Sequence, residues 1–264
     1  MHAPLVPALR LAWLVLASFF AGVLNAIAGG GSFVSLPALL ASTSAVGVGA
    51  VTALATNTVA LWPGQLTSVV AYRQLLRQYG WSLLPIAIAS GVGGELGGVL
   101  LLHTGNSRVR LLLPWLLLFA ATIFALSFPL GRWLQTLSDG RRYTKSLLLG
   151  MVVVSIYAGY FGAGGGFLVM ALFGLCGVHD IHEMNALKVL TGAVSIGIPS
   201  LVFIVAHHVD WTFCLEMALL AGIGGYIGAH FGRRVNQHVM RWTVTAIGFL
   251  TAGYFFLLNA VSHP

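Results

Sequence analysis

The sequence predicts an all-α, polytopic helical membrane protein with two homologous halves in inverted orientation, each carrying a Gly-Gly-Gly helix break. Three observations predict it. Of the 264 residues, 58% are hydrophobic and 7% charged, and the mean hydropathy is +0.92. A soluble domain carries roughly 25% charged residues. Several apolar runs approach the roughly 20 residues that a bilayer-spanning helix needs, and none alternates as a membrane β-strand would. A glycine triplet also occurs twice: residues 25–33 read NAIAGGGSF and residues 157–167 read YAGYFGAGGGF, each between two apolar runs.

An apolar run at 11–28 leads into the first triplet. It is read as a retained span, because no small-x-small cleavage site introduces a polar mature domain. Residues 33–41 are apolar but too short to cross alone as a helix, which suits a half-helix or one arm of a re-entrant hairpin. The run at 46–71 is polar inside, with Thr52, Thr56, Asn57, Thr58 and Gln65, and Pro63-Gly64 should kink it. Residues 72–78 read as a short basic loop. The span at 81–102 carries Gly91, Gly93, Gly94, Gly97 and Gly98 around Glu95, a face small enough for near backbone-to-backbone packing. Arg108 and Arg110 open the last span of the first half. A basic linker at 132–145 separates the first transmembrane repeat, 1–131, from the second, 146–264. The second repeat keeps the order: apolar run, triplet, short arm, a polar turn at 177–183, and a span at 185–205. After the connection His207-His208-Val-Asp210 come a glycine-rich span at 211–231 and a final run ending near Asn259.

The duplication can be checked internally. Gly91, Gly93, Gly94 and Gly97 match Gly222, Gly224, Gly225 and Gly228 at an offset of 131, and the triplets match at 135. Packing glycines would explain one triplet; two matched triplets point to a duplicated transporter. The loop charges orient it. If each broken segment crosses and returns, each half has five crossings and the halves are inverted. Lys and Arg then divide nine (Arg73, Arg77, Arg132, Arg141, Arg142, Lys145, Arg233, Arg234, Arg241) against three (Arg10, Arg108, Arg110). Four spans per half give seven against five. The positive-inside bias favours the inverted arrangement, with both termini outside the cytoplasm. The short arms leave eight and ten crossings both open.

The formal charge of +7 lies mostly in short loops and forms no run dense enough for nucleic acid. Cys176 and Cys214 have no metal-ligand spacing, and His207-His208-Asp210 reads as a solvated loop. No nucleotide loop, zinc-protease helix or nucleophile elbow occurs. Neither an enzyme nor a cofactor is therefore expected, and transport must be gradient-driven or passive.

Glycine triplets interrupt a helix and leave a bare, approachable backbone. At a break, N–H groups lose their helical partners, and those at a half-helix N-terminus can hold an anion. The breaks at Gly29, Gly30, Gly31 and at Gly164, Gly165, Gly166 are thus candidate anion-binding elements, with Ser32 adding a hydroxyl and Asn25 latching the broken end. Lys188 shares a slowly drifting helix face with Asn185 and Thr191. A lysine beside amide and hydroxyl groups suits an anion, although a snorkelling interfacial lysine is the plainer alternative. The corresponding first-half stretch offers Thr52, Thr56 and Asn57. Threonines in membrane helices often bond their own backbone; an asparagine amide is costlier to bury unpaired. Glu95 is a candidate for proton coupling or for a structural pair.

Residues 25–39, with the core Gly29-Gly30-Gly31-Ser-Phe-Val-Ser-Leu-Pro37, resemble the signature of the sulfite exporter TauE/SafE family. So do 159–167, Ala53-Leu-Ala-Thr56-Asn57 and the segment 91–98. The likeness covers about 12–258 in both halves. It implies a multi-pass protein of the bacterial inner membrane that exports a small anion such as sulfite or sulfoacetate, as a secondary carrier linked to the proton gradient. Lys188 stands where a small or hydroxyl residue is more usual in the family, so the likeness does not fix the anion. The alternatives are an uncoupled anion channel and a non-transporting scaffold or accessory subunit. A metal-cation transporter is disfavoured by the scarcity of acidic, His and Cys ligands inside the spans.

Overall fold

The computed structural model describes residues 5–27, 29–43, 47–137, 144–178, 180–231 and 237–262. All its elements are helical: α1 (Leu5–Ile27), α2 (Ser32–Thr43), α3 (Ala50–Tyr79), α4 (Leu84–Thr104), α5 (Asn106–Leu137), α6 (Thr144–Phe161), α7 (Gly165–Leu175), α8 (Ile181–Val205), α9 (Trp211–Phe231) and α10 (Gln237–Ser262). A 3-10 turn, Gly80–Leu83, joins α3 to α4. The protein is an all-α polytopic membrane protein. Among the described residues, three helical stretches are long and apolar enough to cross a bilayer: Ala50–Thr104, which holds α3 and α4, His182–Val205 and Trp211–His230.

Two expected loops are partly helical. Residues 72–78 form the last turns of α3, because Arg, Gln and Leu are good helix formers and no breaker intervenes before Gly80. The linker expected at 132–145 begins inside α5, which runs to Leu137, and α6 starts at Thr144. Its residues 138–143, with Arg141 and Arg142, lie outside the described residues, as do Arg233 and Arg234.

The chain leaves helix between α1 and α2 and again between α6 and α7. Gly29, Gly162 and Gly164 take φ of +83°, +76° and +75°, a region that glycine enters without steric cost. The first reversal brings Gly31 against the carbonyl of Ala21, so α2 returns alongside α1. The N-terminus of α3 is held from α5: Val51 N–H donates to Asn106 Oδ1 at 2.9 Å. Asp180 caps α8 by accepting from His182 N–H at 2.7 Å and Glu183 N–H at 3.2 Å. Those N–H groups hold its carboxyl below the usual carboxylate range.

Glycine faces settle which helices meet. Gly93 and Gly97 of α4 lie against the Val152 and Ile156 carbonyls of α6, and Gly94 and Gly98 against Ser195 and Pro199 of α8. The Ser195 carbonyl has no helical partner, because Pro199 lacks an N–H, and Gly94 approaches it directly. Gly224 and Gly228 of α9 lie against the Phe19 and Val23 carbonyls of α1, and Gly225 against that of Gly64 in α3. Helices α3 and α8 run antiparallel. Trp62 Nε1–H donates to the Ala193 carbonyl at 3.1 Å while Gln65, one turn later, lies against Gly192. Helices α5 and α10 are antiparallel too, through Trp115 and Phe256, with ring centroids 5.0 Å apart, and through Ala121 and Gly248.

At Gly97 an added side chain would fall on the Ile156 carbonyl, whereas at Gly253 a Cβ meets nothing within 4 Å. Gly97→Leu is therefore expected to lose about 3 kcal/mol or more, and Gly253→Ala to stay within about 1 kcal/mol of wild type. Thermal unfolding and size-exclusion profiles of detergent-purified protein check both.

Candidate functional site

The two interruptions meet. A Cβ on Gly29 would lie 2.8 Å from the Cα of Gly166, and one on Gly166 would lie 2.8 Å from the Cα of Gly29. Only a pair of glycines permits that approach. Beside it, between the middle turns of α3 and α8, lies a cavity of about 30 Å³. That is room for roughly two water molecules. Its polar lining comes from Asn25, Ser32, Thr58, Gln65, Lys188 and Ser195, with backbone from Gly29, Gly162, Gly165, Gly166 and Gly192. No carboxylate lines it among the described residues. Ser32 and Gly165 are the first residues of α2 and α7, so two half-helix N-termini open onto the cavity.

Lys188 is 2% exposed. Its ammonium donates to the carbonyls of Ala26 at 3.3 Å and Ile27 at 3.1 Å and to Asn185 Oδ1 at 3.1 Å. The two carbonyls belong to the last turn of α1, where helical partners are missing and the macrodipole is negative. Lys188 therefore caps α1 from across the molecule. All three acceptors are neutral oxygens, so the charge has no carboxylate beside it. Together with the N-termini of α2 and α7 it makes the cavity electropositive.

The other expected residues divide. Asn185 is the amide acceptor for Lys188. Asn57 accepts from Ser35 Oγ–H at 2.6 Å and donates through Nδ2 to Ser32 Oγ at 3.2 Å, which fixes Ser32 at the cavity wall. Gly30 and Gly31 are buried in the first interruption, and Gly164 sits against Ala120 of α5. Three residues serve elsewhere. Thr56 Oγ1 accepts from Asp210 N–H at 2.9 Å and ties α3 to the connection before α9. Thr191 donates to the Leu187 carbonyl of its own helix at 2.9 Å. Thr52 is half-buried and outside the cavity lining. Glu95 lies on the exposed face of α4, away from the cavity.

Thr58, Gln65 and Ser195 line the cavity without having been singled out for binding. Gln65 is 8% exposed and its Oε1 has no partner among the described residues. It lies two turns beyond Asn57 with Leu61 between, a helical stripe (57, 61, 65) that the sequence already carries.

Over residues 14–255 the chain matches the family described as Sulfite exporter TauE/SafE. The protein belongs to that family. It is 29% identical over 225 residues to "Probable membrane transporter protein ORF9" of Sinorhizobium sp, covering 85% of this chain and 82% of that one. It is 29% identical over 236 residues to "Probable membrane transporter protein YfcA" of Escherichia coli K12, covering 88% and 82%. A "Probable membrane transporter protein" of Haemophilus influenzae is 26% identical over 247 residues, covering 91% and 92%. No solved structure matches. The chain is thus a multi-pass transporter of the bacterial inner membrane, not an enzyme, with a family-level role in secondary transport of a small anion.

Removing the Asn57 amide leaves the buried Ser35 hydroxyl and Ser32 without their cross-helix partner. Asn57→Ala is expected to cost about 1–3 kcal/mol, measured by thermal unfolding in detergent, with Asn57→Asp recovering part of the loss.

Proposed function

We propose that the protein is a gradient-driven exporter of a small oxyanion such as sulfite or an organosulfonate, which binds where the two helix interruptions meet. The observation that carries this reading is Lys188: it is the one charged side chain among the described residues lining the cavity, and its partners are neutral. An anion there would accept from N–H groups at the N-termini of α2 and α7, from Ser32 Oγ–H and from the Gln65 amide, beside the ammonium. At about 30 Å³ the cavity suits a few-atom anion such as sulfite, held with little of its hydration shell, and sulfoacetate requires it to widen.

The carrier is built from two inverted repeats, 1–131 and 146–264, each broken at its glycine triplet. The packing supports this reading. Helix α1 lies on α9 as α6 lies on α4, and α3 lies on α9 as α8 lies on α4. The matched pairs α3 with α8 and α5 with α10 run antiparallel, as inversion about an axis in the membrane plane requires. The excess of loop Lys and Arg on one side agrees with it. Alternating access then moves one half against the other around the fixed site, coupled to the proton gradient.

Flux of radiolabelled sulfite and sulfoacetate into proteoliposomes tests this, with and without an imposed pH gradient. Saturable flux that the gradient drives is expected for at least one anion. Lys188→Ala should lower it roughly tenfold or more, as loss of a charged hydrogen bond implies. Flux that neither saturates nor responds to the gradient would assign an uncoupled channel instead. No flux of either anion from folded protein would rule out these substrates.

A further inference from the structure

Helix α4 turns its glycines inward: Gly91, Gly94 and Gly98 face α8, and Gly93 and Gly97 face α6. The register that buries them forces Glu95 outward. It is exposed in one stripe with Ile88, Val92 and Val99. Its depth is fixed by its neighbour Gly94, which touches Ser195, a residue of the central cavity wall. A carboxyl group therefore faces the hydrocarbon near mid-span. No hydrogen bond or ion pair engages it among the described residues.

Lipid tails offer neither donor nor acceptor, and ionisable side chains at this depth are ordinarily paired. The spacing of Ile88, Val92, Glu95 and Val99 (4, 3, 4) is that of a helix–helix seam, β-branched except at the single polar position. The exposed cations Arg73, Arg77, Arg108, Arg110 and Lys145 sit in end turns of α3, α5 and α6, whereas Glu95 is at the middle of α4. A second copy meets the requirement. In a two-fold contact about the membrane normal, a residue at the axis faces its own copy at the same depth. A carboxyl group carries both an acceptor oxygen and, when it holds a proton, an O–H donor. We infer that the transporter is a homodimer in the bilayer, joined α4 to α4, with the two Glu95 side chains hydrogen-bonded at the centre of the interface.

Two measurements test this. In liposomes, single-molecule photobleaching of labelled protein should give dimers for wild type and for Glu95→Gln, whose amides can pair likewise. Glu95→Leu, checked for folding by size exclusion, should weaken association roughly 3- to 30-fold. In native membranes, with Cys176 and Cys214 replaced by Ala, Val92→Cys and Val99→Cys should each oxidise to a covalent dimer. Leu149→Cys, on the exposed face of α6, should not. Monomers at every protein-to-lipid ratio would overturn the inference. So would association unchanged by Glu95→Leu, equal cross-linking at position 149, or cross-linking of the seam cysteines to a protein of another mass.

Discussion

A hydrocarbon interior leaves a broken helix nowhere to place its free N–H and C=O groups, so irregular backbone survives at that depth only inside the protein or along a cavity. This chain breaks a helix twice, between Ile27 and Ser32 and between Phe161 and Gly165. Both interruptions come to one place. Gly29 and Gly166 touch backbone to backbone, and α3, α8 and Lys188 enclose the remaining polar groups. The glycine-lined contacts of α4 with α6 and α8, and of α9 with α1 and α3, hold these elements close enough for the enclosure to form.

Asn57 of α3 and Lys188 of α8 contribute different chemistry to it. At the offset of 131, Lys188 corresponds to Asn57. Asn57 bonds to Ser32 and Ser35 of α2. Lys188 reaches across to α1 and caps it at Ala26 and Ile27. The cationic side chain thus comes from α8, while α2 and α7 each supply a helix N-terminus. The ammonium that caps α1 also lines the cavity, beside the N-termini of α2 and α7.

Much of this was legible in the sequence. Composition and run length give the helical membrane class, and the motifs at 25–39 and 159–167 give the family. Lys188 is legible as an interior charge because nothing else in its span is charged beyond the first turn. Its partners are not, since Ala26 and Ile27 lie over 160 positions away and offer only backbone. Thr56 and Thr191 lie outside the cavity lining because hydroxyls on an interior face have competing partners: one takes a distant N–H and the other its own helix. The outward placement of Glu95 is not legible, because it follows from five glycines in α4 that pre-empt the inward face. The basic stretch 72–78 extends α3 because charge ends the apolar run without ending the helix.

Direct binding tests the central claim most simply. Titration calorimetry of sulfite into the purified protein in nanodiscs should give one site per chain. Lys188→Met, compared at matched unfolding temperature, should bind roughly 10- to 100-fold more weakly. Undiminished affinity in Lys188→Met would contradict a site built where the two interruptions meet.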